Sequence, residues 1–205
     1  MSEKLFETAL GISQRTLTIR VDFTPGSRFP APENEGLHPV HDTVEKQYRH
    51  LNFFQHECYL NVRVPRVKLP DGKVVQIEPA WTGKLSGFTL LFEALLLAFC
   101  REMTFRAVAR LMKVSVHRVM AVCERYVGLT VAEQDLCGVR NLAIDETARA
   151  RGHDYVTLAA DTARRAVIAV TEERDATAIE RLAAEIKAHR GDPRAIESVS
   201  IDMSP

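Results

Sequence analysis

Several things are scarce in this sequence, and each shortage excludes something. Net charge is zero, with 27 Lys and Arg against 27 Asp and Glu over 205 residues. No global basic field announces a nucleic-acid partner, so any such site must be local. There are four cysteines, Cys58, Cys100, Cys123 and Cys137, with no close pair among them. That excludes a disulfide framework and predicts buried thiols in a reducing compartment. Long apolar runs are missing too. The most apolar stretch, Phe88 to Cys100, is thirteen residues long and contains Glu93. A spanning helix needs about 20 apolar residues, so this stretch predicts a core helix and no membrane partner. The opening MSEKLFETAL has no apolar signal core, and a cytoplasmic location follows. What is present, 46% hydrophobic and 26% charged residues, is an ordinary globular mix of one or two domains.

Periodicity divides the chain. Arg15 to Phe23, Cys58 to Val67 and Lys73 to Ile77 alternate as strands. Leu69-Pro70-Asp71-Gly72 is a turn between the last two. Arg28 to Asp42 contains three prolines and a glycine and predicts a loop. A small β module is expected over residues 1–83. Helical spacing takes over in Leu85 to Glu102, Thr104 to Met112 and Ser115 to Val127, giving a helical domain over 84–130. Gly128 to Gly138 is expected to be a connector. From 139 to 205 the expected order is strand (Leu142 to Ile144), strand (Tyr155 to Ala160), strand (Ala166 to Thr171), helix (Ala176 to His189) and strand (Ser198 to Ile201). The expected class is α+β, with an α/β C-terminal part.

The helical segment has the form of a helix-turn-helix. Thr104 and Ser115 can each N-cap a helix, with Lys113-Val114 as the turn. Val116, Val119, Met120, Cys123 and Tyr126 form one apolar stripe on the second helix, and His117, Arg118, Ala121 and Arg125 face elsewhere. Between Arg101 and Val127 there are six Lys or Arg against two Glu. Phosphate contacts come mainly from such residues. Arg106, Arg110, Lys113, Ser115, His117, Arg118 and Arg125 are therefore the candidate contacts to double-stranded DNA, with the second helix in a major groove. A plain helical hairpin with a solvated basic face is the alternative.

Two clusters suggest metals. His38-x-x-His41 with His56 and Cys58 supplies four nitrogen and sulfur donors of the kind zinc takes. Solvated or core-satisfied side chains without metal are the preferred reading for these four. Asp145 and Asp202 each follow a short apolar strand. Beyond the carboxyl ends of strands is where metals gather in α/β sheets, and paired carboxylates suit Mg²⁺ or Mn²⁺. Two such metals can activate a nucleophile and stabilise the leaving oxygen in phosphodiester cleavage. Taken singly, either Asp serves as readily in a turn or a cap.

Three stretches carry a resemblance. YRHLNFFQHECYLNVRVP (Tyr48 to Pro65), the segment from SGFTLLFEALLLAF through MTFRAVARLMKVSVHRVMAVCERY (Ser86 to Tyr126), and AIDETARARGHDYVTLAAD (Ala143 to Asp161) with SVSIDMSP (Ser198 to Pro205) resemble, in order, three parts of the ISL-three family of insertion-sequence transposases. Those parts are its N-terminal zinc module, its helix-turn-helix and the first two acidic blocks of its DDE domain. The resemblance implies a ribonuclease-H-like catalytic domain, here partial, with Asp145 and Asp202 as the first two acids. It also implies Mg²⁺-dependent cutting and rejoining of DNA at element terminal repeats. Whether the protein forms a homo-oligomer on DNA stays open. The family's zinc module uses two C-x-x-C pairs. Here the first position holds His38 and His41, and the second falls on Leu69 to Gly72, which offers no good ligand, so zinc is not expected to hold the fold. The family's third acid, a Glu, would lie beyond Pro205. A C-terminally truncated transposase, inactive alone, is therefore expected. The alternative is a catalytically inactive DNA-binding protein or regulator derived from one.

Overall fold

The computed structural model describes residues 10–13, 15–32, 34–83, 87–150, 154–172 and 176–201. The chain divides into two compact units, 1–125 and 126–205.

In the first unit, β1 (Leu10–Ser13), β2 (Thr16–Val21), β3 (Arg28–Ala31), β4 (Asn34–Phe53) and β5 (His56–Lys68) form one sheet in the order β1-β2-β5-β4-β3, and β6 (Val74–Gln76) pairs with β5. The centre is the antiparallel β4–β5 hairpin, with Tyr48 opposite Leu60 and His50 opposite Cys58. Alternation on β5 sends Cys58, Val62 and Val64 inward. Tyr48, Val62 and Val64 form one core cluster, with Trp81 against the Tyr48 ring edge-on at 5.8 Å. The Pro-Asp-Gly turn closes β5 onto β6, with Gly72 at φ 87 and the Asp71 carboxylate accepting the Lys73 N–H at 2.9 Å.

The expected loop from Arg28 to Asp42 is instead strand. Pro30 lies in β3, at the edge of the sheet, and Pro39 opposite Arg28 in β4. Proline is tolerated at an edge, where its missing N–H leaves no interior rung empty. Pro30 therefore marks an edge and not a break, and Pro39 does not interrupt β4.

Three helices complete this segment: α1 (Leu90–Cys100), α2 (Phe105–Met112) and α3 (Val116–Ala132). The chain entering α1 makes a rung with β4, Arg49 N to Gly87 O and Thr89 N to Arg49 O, each 3.0 Å. Thr89 then caps α1, its hydroxyl accepting the Phe92 N–H at 3.3 Å. Phe88 and Phe92 are fully buried, ring against ring at 4.9 Å. Helix α3 runs through Gly128 to Ala132, part of the expected connector. An interior glycine costs a helix only about 1 kcal/mol, so it does not end this one.

In the second unit, β7 (Asn141–Ala150), β8 (Asp154–Asp161), β9 (Ala166–Thr171) and β10 (Ser198–Ile201) form a sheet in the order β10-β7-β8-β9. The β7–β8 and β8–β9 pairs are antiparallel, and β10 joins β7 in parallel. Helix α4 (Ala176–Ala188) carries the chain from β9 to β10. Leu182 and Ile186 pack on Leu142, Ile144, Ala159 and Ile168, with Leu136 and Val139 closing the cluster. Gly191 ends α4 where a Cβ would stand 2.9 Å from the Ile186 carbonyl oxygen, so the close approach requires glycine. Among the described residues no helix is long and apolar enough to cross a membrane.

Candidate DNA interface and acidic site

Both expected caps of the helix-turn-helix form. The Thr104 hydroxyl accepts the Ala107 N–H at 3.3 Å, and the Ser115 hydroxyl accepts the Arg118 N–H at 3.4 Å. Lys113 takes the left-handed conformation, φ 54, that ends α2. Val108, Ala109 and Met112 bury one side of α2, and Val119 and Val122 one side of α3. The buried line on α3 is thus turned from the expected stripe: Val122 is inside, and Met120 is 37% exposed.

The candidate contacts meet different fates. Arg106, Arg110 and His117 stand exposed. Ser115 is spent on its cap, though it remains exposed. Lys113 Nζ pairs with Glu57 Oε1 at 2.8 Å, and this contact holds the Glu57 carboxyl below its ordinary range. No motif marks Glu57 as important. The Arg118 guanidinium lies over the Phe88 ring at 3.8 Å, and burial lowers its pKa. Arg125, expected on the open face, turns inward to Glu93, with Nη1 3.3 Å from Oε2. The Glu93 side chain is wholly buried, so Arg125 balances a charge within the unit. Its expected place among the exposed contacts is corrected accordingly.

The candidate zinc ligands are not brought together. His38 stands opposite Phe29 and His56 opposite Phe53, near the two ends of β4. His41 and Phe53 are a dozen residues apart on that strand, roughly 40 Å at about 3.3 Å per residue. Cys58 pairs across the ladder with His50. His50 Nδ1 is 2.8 Å from the Thr89 hydroxyl, and burial pushes its pKa down. Burial pushes the Cys58 thiol up, away from the thiolate that zinc binds. Among the described residues, no three His, Cys, Asp or Glu side chains are placed to hold a metal.

Asp145 is exposed on β7, one residue past the buried Ile144. Strand alternation puts it on the face opposite the α4 core. Ile144 stands beside Ile201 in the parallel β7–β10 pair, and an aspartate follows each in the sequence. Asp202 itself lies outside the described residues. The buried Asp161 is absorbed by its own turn, accepting the N–H of Ala163 at 2.9 Å and of Arg164 at 3.3 Å.

These parts, a capped helix-turn-helix with exposed cations and then a mixed sheet with an acid at its parallel pair, define a two-part α+β protein with a helix-turn-helix ahead of a β-sheet unit. Comparison gives the family. The helix-turn-helix domain of transposase family ISL3 matches residues 78–127, and that family's DDE transposase domain matches residues 142–205. The chain is 25% identical over 166 residues to the transposase for insertion sequence element IS1001 of Bordetella parapertussis, across 80% of this chain. It spans 40% of that relative's length. No solved structure matches. The chain belongs to the ISL3 family of transposases.

Proposed function

We propose that this chain carries the DNA-binding and first catalytic elements of a transposase that cuts and rejoins DNA at element ends. Helix α3 enters the major groove by its N-terminal turn, with His117 toward base edges and Arg106 and Arg110 toward phosphates, while Lys113 and Arg118, engaged with Glu57 and Phe88, hold the turn in place. The second unit has a ribonuclease-H-like strand arrangement. The strand order supports this reading, with three antiparallel strands, a crossover helix and a fourth strand parallel to the first.

One observation carries the catalytic assignment: the parallel register that sets Ile201 beside Ile144, after each of which an acid follows. Asp145 and Asp202 are hard oxygen donors of the kind Mg²⁺ or Mn²⁺ takes, and Asp145 is open to solvent, so the donor set fits such an ion. When bound, the ion supplies Lewis-acid stabilisation of charge on the phosphodiester oxygens. The chain's own contribution is positional. Leu142 and Ile144 lock β7 onto α4 and thereby fix the face on which Asp145 stands. Glu146 is the next residue on an extended strand and points away from that face, so it does not replace either Asp.

The test is Mn²⁺ titration of this chain by electron paramagnetic resonance. One weak site is expected, and Asp145→Asn or Asp202→Asn lowers its affinity by at least about tenfold, the loss that removal of even an outer partner can cause. Equal Mn²⁺ binding by all three proteins, or none by the unaltered chain, contradicts the assignment.

A further inference from the structure

The β4–β5 hairpin ends in two adjacent phenylalanines. Phe53 is 57% and Phe54 86% exposed, and their rings meet edge to face at 4.8 Å. Phe54 is held at φ 52, a costly conformation for a bulky side chain. Among the described residues Phe54 is the most exposed large apolar side chain, and with Phe53 it presents a two-ring apolar tip open to a partner.

The tip is tied to the helix-turn-helix. Glu57 lies three residues after Phe54, and its carboxylate binds Lys113, the turn residue between α2 and α3. The tip is thus tied by that ion pair to the turn that precedes α3. The same ion pair neutralises the carboxylate of Glu57, whose N–H also donates to the Arg15 carbonyl oxygen at 2.9 Å. Asn52 and Gln55 flank the rings with polar amides. Two aromatic side chains bury at most about 500 Å², which is below the roughly 800 Å² per partner of a stable protein interface. A patch this small suits a base step better than a protein surface, and apolar wedges of Phe entering base steps are an established way to unstack and bend a duplex.

We propose that the β4–β5 tip is a second contact to duplex DNA, with Phe53 and Phe54 inserted at a base step next to the major-groove site of α3. This rests on the DNA-binding reading above, and it adds a shape-reading contact to a charge-based one.

The experiment begins with selection, from a random 40-base-pair duplex library, of a sequence that the full chain retains. That duplex is then substituted with 2-aminopurine at each position in turn. Binding by the unaltered chain should raise the fluorescence at one step near the protected site, because unstacking relieves quenching. Phe53→Ala/Phe54→Ala should abolish the rise and weaken binding about tenfold. It should leave the salt dependence unchanged, because no charge is removed. Phe53→Leu/Phe54→Leu should keep part of the rise, since leucine also wedges. Thermal melting followed by Trp81 fluorescence checks that each variant folds. Binding with no fluorescence rise, or a rise that survives the alanine substitutions, overturns this inference and leaves the DNA-binding reading standing. Failure of the unaltered chain to retain any duplex overturns the DNA-binding reading, and this inference with it.

Discussion

The two units keep different things inside. The first buries charge. Glu93 is fully enclosed against Arg125, and Arg49, 4% exposed, donates to the carbonyl oxygens of His50 at 2.6 Å and Cys58 at 3.2 Å. The Arg49 guanidinium also lies 5.0 Å from the Phe92 ring centre. The second packs an aliphatic cluster of Leu, Ile, Val and Ala between α4 and its sheet, and its buried carboxylate, Asp161, is satisfied locally by its own turn. In the first unit, then, α2 and α3 pack through Val108, Met112, Val119 and Val122 and are also held by directional contacts: Arg125 on Glu93, Lys113 on Glu57 and Arg118 on Phe88. In the second, Asp145 is placed by strand register, a property shared along the whole of β7. A charge network concentrates sensitivity at single residues, whereas a register spreads it out.

The largest expected effect follows from that difference. Arg125→Ala removes an ion pair from the fully buried Glu93, which costs about 3–5 kcal/mol. Trp81 is the sole tryptophan and lies in the first unit, so urea unfolding followed by its fluorescence isolates this loss. The double variant Glu93→Leu/Arg125→Met should recover most of the stability, because a hydrophobic pair of similar volume replaces a buried ion pair at little cost. A variant Arg125→Ala that unfolds like the parent but loses DNA affinity would instead return Arg125 to the interface.

A smaller effect concerns pH. Burial, with Arg49 adding to it, lowers the His50 pKa from its ordinary value of 6.5. The unfolded chain then takes up this proton at a higher pH than the folded chain does. The stability is complete above about pH 6.5 and is lost as pH falls toward the lowered folded value. The Trp81 melting midpoint should therefore decline between pH 6.5 and 5, and His50→Asn should flatten that decline. An unchanged slope in His50→Asn would place the effect elsewhere.

Which features were legible in the sequence follows the same division. The bounds of β9, β10 and α4 come almost directly from period and turn signals, because alternation and the Gly-Asp-Pro turn are local. Both helix caps, at Thr104 and Ser115, are legible for the same reason. The strands between Arg28 and Asp42 are not, because proline marks a break and a sheet edge with the same letter. The fates of the cations are not legible either. Helical periodicity assigns Arg125 a side of α3, but its partner Glu93 is 32 positions away, and no spacing rule reaches that far. The four proposed zinc donors fail similarly. They cluster in sequence, but β4 is long and extended, so sequence neighbours end far apart. The exposed Phe53-Phe54 pair is the converse case. Two aromatics between Asn52 and Gln55 are visible in the sequence, and only the hairpin reveals that they form a tip.

The central claim is that α2, the turn and α3 bind duplex DNA mainly through exposed cations. Titrating the full chain against its selected duplex from about 50 to 200 mM salt tests it most directly. The account predicts a steep linear decline of log affinity with log salt, and a slope shallower by roughly 2 in Arg106→Ala/Arg110→Ala, about one per phosphate contact removed. Binding that is insensitive to salt, or a slope unchanged by removing both arginines, would contradict it.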